Sequence, residues 1–141
     1  MKKLLIRACV VIVLLCMVYG IRSGLMVNSA AWPTEFKVSE DGRALTLNAG
    51  VMSSVGHIRA CKDQVVDGKH YLKFYAAFGG INGSIGAKNA FTIPLGENDS
   101  EIYCLSMDGK KYRLCYRKNA DSGIWEDVRA EEDVYSDGPK K

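Results

Sequence analysis

The stretch KHYLKFYAAFGGINGSIGAK, residues 69–88, is the clearest indication of the fold class, because a strand-like alternation runs directly into a glycine-rich turn. Side chains of a strand point alternately to its two faces. One face carries His70, Leu72, Phe74, Ala76 and Phe78, and the other carries Lys69, Tyr71, Lys73, Tyr75 and Ala77. The first face is apolar enough to be buried, whereas the second is amphipathic. The pattern therefore predicts a half-buried strand, and the four glycines after it predict a tight crossover between two sheets.

The rest of the chain after residue 32 shows the same kind of pattern. Short apolar alternations recur near residues 34–38, 44–51, 57–66, 91–95, 101–106 and 111–117. Asp-Gly pairs at 41–42, 67–68 and 108–109 predict hairpin turns, because a type I′ turn needs positive φ at both central positions. Pro94 places its strand at a sheet edge or ends it there. These features predict an all-β fold, an antiparallel immunoglobulin-like β-sandwich of about seven strands, preceded by an N-terminal hydrophobic helix.

The N-terminal segment has the features of an export signal. Lys2, Lys3 and Arg7 precede an uncharged apolar run of 14 residues, 8–21, which is the length of a signal-peptide core. If residues 4–6 are included and Arg7 snorkels, the run reaches 18 residues and could span a bilayer. Both interpretations leave the following domain outside the cytoplasm. We therefore divide the chain into a signal peptide or membrane anchor (1–31), a β-sandwich domain (32–128) and a charged flexible tail (129–141).

The positive charge of the chain belongs to this N-terminal segment. The formal net charge is +3, from 19 basic and 16 acidic residues. Four of the basic residues lie at or before Arg22, and no acidic residue precedes Glu35. The remaining chain thus carries 15 basic and 16 acidic residues, a net charge of −1. A domain with this balance is not expected to bind nucleic acid.

Three cysteines lie in the predicted sandwich. A hairpin turn at Asp108-Gly109 would place Cys104 and Cys115 on one face of two paired strands, diagonally and about 7–8 Å apart. An exported compartment permits a Cys104–Cys115 disulfide, and packed or free thiols are the alternative. Cys61 has no obvious partner.

Residue spacing gives no support to an active site. His57, Cys61 and His70 lack the paired spacing of metal ligands, so no metal or other cofactor is expected. Ser53, Ser54 and Ser84 are not flanked by the glycines of a nucleophile motif. The turn after residue 78 lacks the Gly-Lys-Ser/Thr ending of a phosphate loop. The sequence therefore predicts a protein that is not an enzyme. Its best binding surface is the predicted exposed stripe of Tyr71, Lys73 and Tyr75 with Asn82 in the adjacent loop.

Four stretches carry a resemblance to a known family: SEDGRALTLNAGVMSSVGHIR, YLKFYAAFGGINGSIGAKNAFTIPL, SEIYCLSMDGKKYRL and SGIWEDV. They resemble a family of small exported or lipid-anchored proteins of Gram-positive bacteria, over residues 39–128. The resemblance implies export and an all-β domain, and it carries over no catalytic residues. This chain departs from the family in having Cys104 and Cys115.

Together these observations predict a non-catalytic extracytoplasmic binding domain at the bacterial cell surface, either secreted or anchored by its N-terminus. The expected partner is a cell-surface or membrane protein, with the membrane itself contacted through the N-terminal helix if that helix is not cleaved. One alternative is a small cell-envelope hydrolase using His57, Ser54 or Asp99. Another is a sensor or inhibitor domain that acts on a membrane partner through Tyr71 and Tyr75.

Overall fold

The computed structural model describes residues 2–23, 26–27, 31–52, 57–77 and 87–139. These residues form one N-terminal helix followed by short strands in two sheets. The elements are α1 (Lys2–Ser23), β1 (Met26–Val27), β2 (Ala31–Val38), β3 (Ala44–Val51), β4 (His57–Val66), β5 (Lys69–Ala77), β6 (Ala90–Pro94), β7 (Glu101–Leu105), β8 (Tyr112–Lys118), β9 (Trp125–Asp127) and β10 (Tyr135–Ser136). The protein is thus mostly β and sandwich-like, as the alternation predicts.

The larger sheet is built around β5. β4 pairs with one edge of β5, while β7 and β1 share the other edge, and β8 continues the sheet beyond β7 with β9 and β10 on its far side. The smaller sheet has the order β2-β3-β6 and is antiparallel. The predicted count of about seven strands is not confirmed, because the described residues form ten; the predicted segments overlap β2 through β8. The short β1, β9 and β10 were not predicted because two or three residues are too few to show an alternation.

One strand pair overturns the prediction of a wholly antiparallel sandwich. β5 and β7 are parallel, with Lys69 opposite Glu101 and Leu72 opposite Cys104. The chain leaves the larger sheet after β5, forms β6 in the smaller sheet, and returns to begin β7 at the end where β5 also begins. Such a return makes the two strands parallel. The immunoglobulin-like connectivity stays a prediction.

The main core lies between the two sheets. His70, Leu72 and Phe74 of β5 are buried, which confirms the predicted inward face of this strand. Leu72 and Phe74 pack in one cluster with the inward residues of the smaller sheet, Leu45, Leu47, Ala49 and Ile93. Ile102, Cys104, Cys115, Tyr116 and Trp125 complete the cluster from the larger sheet. Phe78 and the glycine-rich turn lie outside the described residues.

A second core covers the outer face of the larger sheet. It contains Tyr71, Tyr103, Leu105, Tyr112, Leu114 and Val128. The ring of Tyr71 stacks on Tyr103 and meets Tyr112 edge-on, each at 5.2 Å between centroids. Only 8 % of Tyr71 is exposed, so the predicted exposed stripe is wrong at this residue. The parallel pairing explains the difference, because it brings Tyr103 alongside Tyr71.

The C-terminal segment adds to the sheet. Tyr135 and Ser136 form β10, which pairs with Arg113 and Tyr112 of β8. The Arg113 guanidinium also forms an ion pair with Asp133 at 2.7 Å. The charged composition predicts a flexible tail, but residues 133–136 are held by this pairing. Two of the acidic residues in this segment, Glu132 and Asp133, form ion pairs with Arg117 and Arg113 of β8.

The three Asp-Gly pairs all connect antiparallel strands, as predicted, but only one has the predicted backbone. Asp67 and Gly68 both have positive φ, at 50° and 72°, as a type I′ turn requires. In the other two turns only Gly42 and Gly109 have positive φ among the described residues. These turns share a Ser-x-Asp-Gly pattern in which the serine hydroxyl donates to the aspartate.

The helix α1 displays apolar side chains to its surroundings. All side chains described on it, residues 4–17, are exposed. Within the described ranges, no helix is both long enough and apolar enough to cross a membrane.

Candidate functional site

His70 is clamped between two carboxylates beneath the surface. Its Nδ1 lies 2.8 Å from Oδ2 of Asp63, and its Nε2 lies 2.8 Å from Oδ2 of Asp99. Asp63 projects from the neighbouring strand β4, and Asp99 from the loop between β6 and β7. Only 1 % of the His70 side chain is exposed. Because each ring nitrogen faces a carboxylate oxygen, the arrangement favours an imidazolium that donates both N–H groups.

The ionisation of His70 and Asp99 follows from this geometry. Burial alone would lower the pKa of His70, but the hydrogen bonds and charges of Asp63 and Asp99 raise it above the ordinary value of 6.5. Burial alone would raise the pKa of Asp99, but the backbone N–H of Gly96 and the His70 ring lower it below 3.8. Both shifts favour a charged pair of a His70 imidazolium and an Asp99 carboxylate.

The clamp fixes the loop 95–100 against the turn between β4 and β5. The backbone N–H of Ser100 donates to the Gly68 carbonyl at 2.9 Å, and that of Lys118 donates to the Ser100 carbonyl at 2.8 Å. Gly68 also lies so close to Asn98 that a Cβ on it would meet the Asn98 carbonyl oxygen at 2.4 Å. His70 thus holds a loop in place, and both of its nitrogens are occupied.

The loop fixed by His70 forms one wall of a groove of about 530 Å³, which we call the Ile124 groove. Its apolar lining is Val38, Leu95, Ile124 and Trp125, and its basic residues are Arg43 and Lys118. The other two walls are the turn between β2 and β3 and the turn between β8 and β9. Three separate connections therefore meet at this end of the sandwich.

Hydrogen bonds hold both of these turns in shape. In the first, Asp41 Oδ1 accepts from the Ser39 hydroxyl at 2.6 Å and from the Arg43 N–H at 3.1 Å. In the second, the Asn119 N–H donates to the Ile124 carbonyl at 2.8 Å. A further bond, from the Leu95 N–H to the Arg43 carbonyl at 2.7 Å, joins the first turn to the loop wall. The groove is therefore preformed, although it displays a 63 % exposed Ile124.

The charges around the Ile124 groove are balanced. Arg43 and Lys118 supply two positive groups, and Asp41 and Glu97 supply two negative ones. The Asp41 carboxylate is turned into its own turn, and the hydrogen bond from Ser39 lowers its pKa. The Lys118 ammonium donates to the Glu97 carbonyl at 3.2 Å. This lining suits a ligand with an apolar side chain and little net charge.

A second groove, of about 570 Å³, lies at the opposite end of β8. We call it the Trp32 groove, lined by Trp32, Met52, Met107, Arg113 and Tyr135. The Arg113 guanidinium stacks over the indole of Trp32, 5.7 Å from its centre. Met52, Met107 and Tyr135 are largely exposed. This end is therefore more open and more apolar than the Ile124 groove.

The binding residues predicted from the sequence are not assembled in either groove. Tyr71 is buried in the second core, and the Lys73 ammonium lies 5.6 Å from the ring centre of Tyr112. Tyr75 is half-buried between β4 and β1, opposite Ala60 and Val27. Asn82 lies outside the described residues. Ile124 was not predicted, although a lone isoleucine in the polar segment 119–124 is a signal that could have identified it.

The predicted cysteine pair contains two free thiols. Cys104 lies opposite Arg113, and Ile102 lies opposite Tyr116, whereas a hairpin without a bulge would place Cys115 opposite Ile102. Cys115 is the extra residue of a β-bulge, which turns both it and Tyr116 into the core. All five cysteines are unbonded. Burial raises the pKa of the Cys104 thiol, and the neighbouring Cys115 raises it further.

Of the residues suggested for a hydrolase, the two that the structure describes, His57 and Asp99, are not brought together. His57 lies in a different part of the larger sheet, opposite Ala77, and Ser54 lies outside the described residues. Asp99 is engaged by His70 and Gly96. Among the described side chains, no group of three or more histidine, cysteine and acidic residues is placed to hold a metal ion.

Comparisons with known proteins give no relative for this chain. No family model, no curated protein and no solved structure matches it.

Proposed function

We propose that this protein is a non-catalytic extracytoplasmic binding domain at the bacterial cell surface, and that the Ile124 groove is its binding site. The N-terminal segment exports the domain or anchors it, and the chain belongs to the small exported or lipid-anchored proteins that it resembles. One observation carries the proposal: a large exposed aliphatic side chain is held over a preformed groove by hydrogen-bonded turns. An exposed isoleucine on a rigid turn adds little to folding, but it is well placed to contact a partner.

The hydrolase alternative receives less support from the same geometry. A general base needs a free lone pair within reach of the substrate proton. His57, the histidine of this alternative, lies opposite Ala77 in a different part of the larger sheet. The histidine beside Asp99 is His70, which is buried and has both ring nitrogens occupied by carboxylates. Asp99 is held in an ion pair that keeps it ionised, which suits a structural carboxylate better than a general acid.

The lining of the groove indicates the chemistry of the partner. Apolar contacts from Ile124, Trp125 and Leu95 favour an apolar side chain, and the balanced charges of Arg43 and Glu97 favour a neutral segment. An extended peptide supplies both, with backbone groups that hydrogen-bond to the polar rim. We therefore propose a peptide segment of a cell-surface or membrane protein as the ligand.

The proposal is tested by selecting displayed peptides on the immobilised full chain and measuring the binding of the selected peptides. Ile124→Asp places a charge on the apolar lining and should weaken binding at least about tenfold, or about 1.4 kcal/mol. Met107→Asp is the matched control, because Met107 is equally exposed but lies in the Trp32 groove. Failure to select any peptide, or equal loss in both variants, would refute the proposed site.

A further inference from the structure

The end of the domain that holds the Trp32 groove carries a combination of apolar, aromatic and basic side chains. Met107 is 62 % exposed at the tip of the turn between β7 and β8, and Met52 and Tyr135 are exposed beside it. Lys110 and Lys111 follow Met107 in the same turn. Aromatic and apolar residues flanked by lysine are typical of surfaces at the boundary between lipid headgroups and acyl chains.

The basic charges of this turn are available to a partner. Asp108, the nearest acidic residue, accepts hydrogen bonds from the Ser106 hydroxyl and from the Lys110 and Lys111 backbone N–H groups. The Asp133 carboxylate is paired with Arg113. Within the described part of the chain, neither lysine ammonium takes part in an ion pair. The turn can therefore present two lysines to an anionic surface.

The fold places this turn at the end of the domain where α1 joins it. Met26 and Val27 pair with Ala76 and Tyr75, near the end of β5. Because β7 runs parallel to β5, the turn after β7 lies at the same end of the sheet. Only two residues separate α1 from β1, so the last residue of α1 is at most about 11 Å along the chain from Met26.

We propose that the end of the domain that holds the Trp32 groove rests on the anionic lipid surface of a membrane that the exposed apolar side chains of α1 contact. Met52, Met107 and Tyr135 contact the headgroup boundary, and Lys110 and Lys111 attract the anionic headgroups. The Ile124 groove lies at the other end of β8, about 24 Å away by the length of that strand, and so faces outward. This inference rests on the proposed function, because it requires that α1 holds the chain at the membrane.

The experiment uses two forms of the full chain with one tryptophan each, reconstituted in vesicles with brominated acyl chains, which quench nearby indoles. Both carry Trp32→Phe and Trp125→Phe; one adds Met107→Trp and the other Ile124→Trp. The two added positions are 62 % and 63 % exposed at opposite ends of β8, so they form a matched pair. Circular dichroism confirms that both forms fold.

On vesicles containing phosphatidylglycerol, bromine should reduce the fluorescence of the Met107→Trp form about twofold and leave the Ile124→Trp form unchanged. Lys110→Glu with Lys111→Glu should reduce this quenching to the level seen on phosphatidylcholine alone. If the chain floats with the vesicles but the Met107→Trp form is not quenched, the inference is wrong while membrane attachment stands. If the chain does not float, the attachment on which it rests is wrong. Strong quenching in both forms also contradicts the inference. So does a result in which Met107→Asp loses binding to a protein partner while no contact with lipid is detected.

Discussion

Nε2 of His70 lies 2.8 Å from Oδ2 of Asp99, so a buried strand residue is joined to a loop 29 positions further along the chain. A second carboxylate, from Asp63, holds the opposite side of the same ring. This clamp connects the interior of the larger sheet to a wall of the Ile124 groove. The stability of the fold and the shape of the groove therefore depend on the same ion pair.

The clamp predicts how stability varies with pH. Because the pKa of His70 is raised, its contribution is complete below the unfolded value of 6.5 and is lost as pH rises through the folded pKa. The pKa of Asp99 is lowered, so its contribution is present above 3.8 and is lost as pH falls through the folded pKa. The free energy of unfolding, measured in urea, should therefore be greatest between pH 3.8 and pH 6.5. In His70→Gln the decline of the free energy of unfolding at higher pH should disappear. An unchanged pH profile would show that His70 is not charged in the folded protein.

Tyr71 should matter for folding rather than for binding. Its ring is buried between Tyr103 and Tyr112, so Tyr71→Ser should reduce the free energy of unfolding by about 3 kcal/mol. Tyr75→Ser, at a half-buried position of the same strand, should cost clearly less. Urea unfolding of both variants measures the difference. Equal stability of the wild type and Tyr71→Ser would restore the interpretation of Tyr71 as an exposed contact.

Arg129 connects the C-terminal segment to the smaller sheet. Its guanidinium donates to the carbonyls of Pro33 and Thr34, pairs with Asp127, and lies 5.4 Å from the ring centre of Tyr116. Arg129→Ala leaves the buried Pro33 carbonyl without this donor and should destabilise the fold by about 2 kcal/mol. Arg129→Lys keeps the charge but not the planar fork, and should recover only part of this loss. Full recovery by lysine would mean that charge alone is sufficient.

The sandwich thiols should be unreactive in the folded protein. Burial, with the nearby Asp63, raises the pKa of Cys61 to about 12, and burial also raises that of Cys104. Because the thiolate is the nucleophile, Cys61, Cys104 and Cys115 should be alkylated by iodoacetamide only after unfolding. Mass spectrometry of the labelled protein counts the thiols. A pair that resists alkylation after unfolding, but is labelled after reduction, would show that Cys104 and Cys115 form a disulfide.

Much of the fold was predictable because alternation reports local burial. The inward residues His70, Leu72 and Phe74 of β5 and the positions of β2 to β8 follow from it, and Pro94 does end an edge strand. The parallel pairing of β5 with β7 was not predictable, because it depends on where the chain returns after the smaller sheet. The error at Tyr71 has the same origin. Alternation shows to which face of the sheet a residue points, but it does not show which other residues pack against that face.

Less of the candidate site could be predicted from the sequence. His70 is separated from Asp63 by 7 positions and from Asp99 by 29, and only the folded chain brings them together. The Ile124 groove combines three turns that are distant in sequence. The bulge at Cys115 shifts the register between β7 and β8 by one residue, and no local pattern in the sequence indicates it.

The most direct test of the proposed binding site is the affinity of one selected peptide, measured by titration calorimetry against three forms of the full chain. We expect Ile124→Asp to weaken binding at least about tenfold and Met107→Asp to bind like the wild type. If Ile124→Asp binds the peptide as tightly as the wild type does, the Ile124 groove is not the binding site.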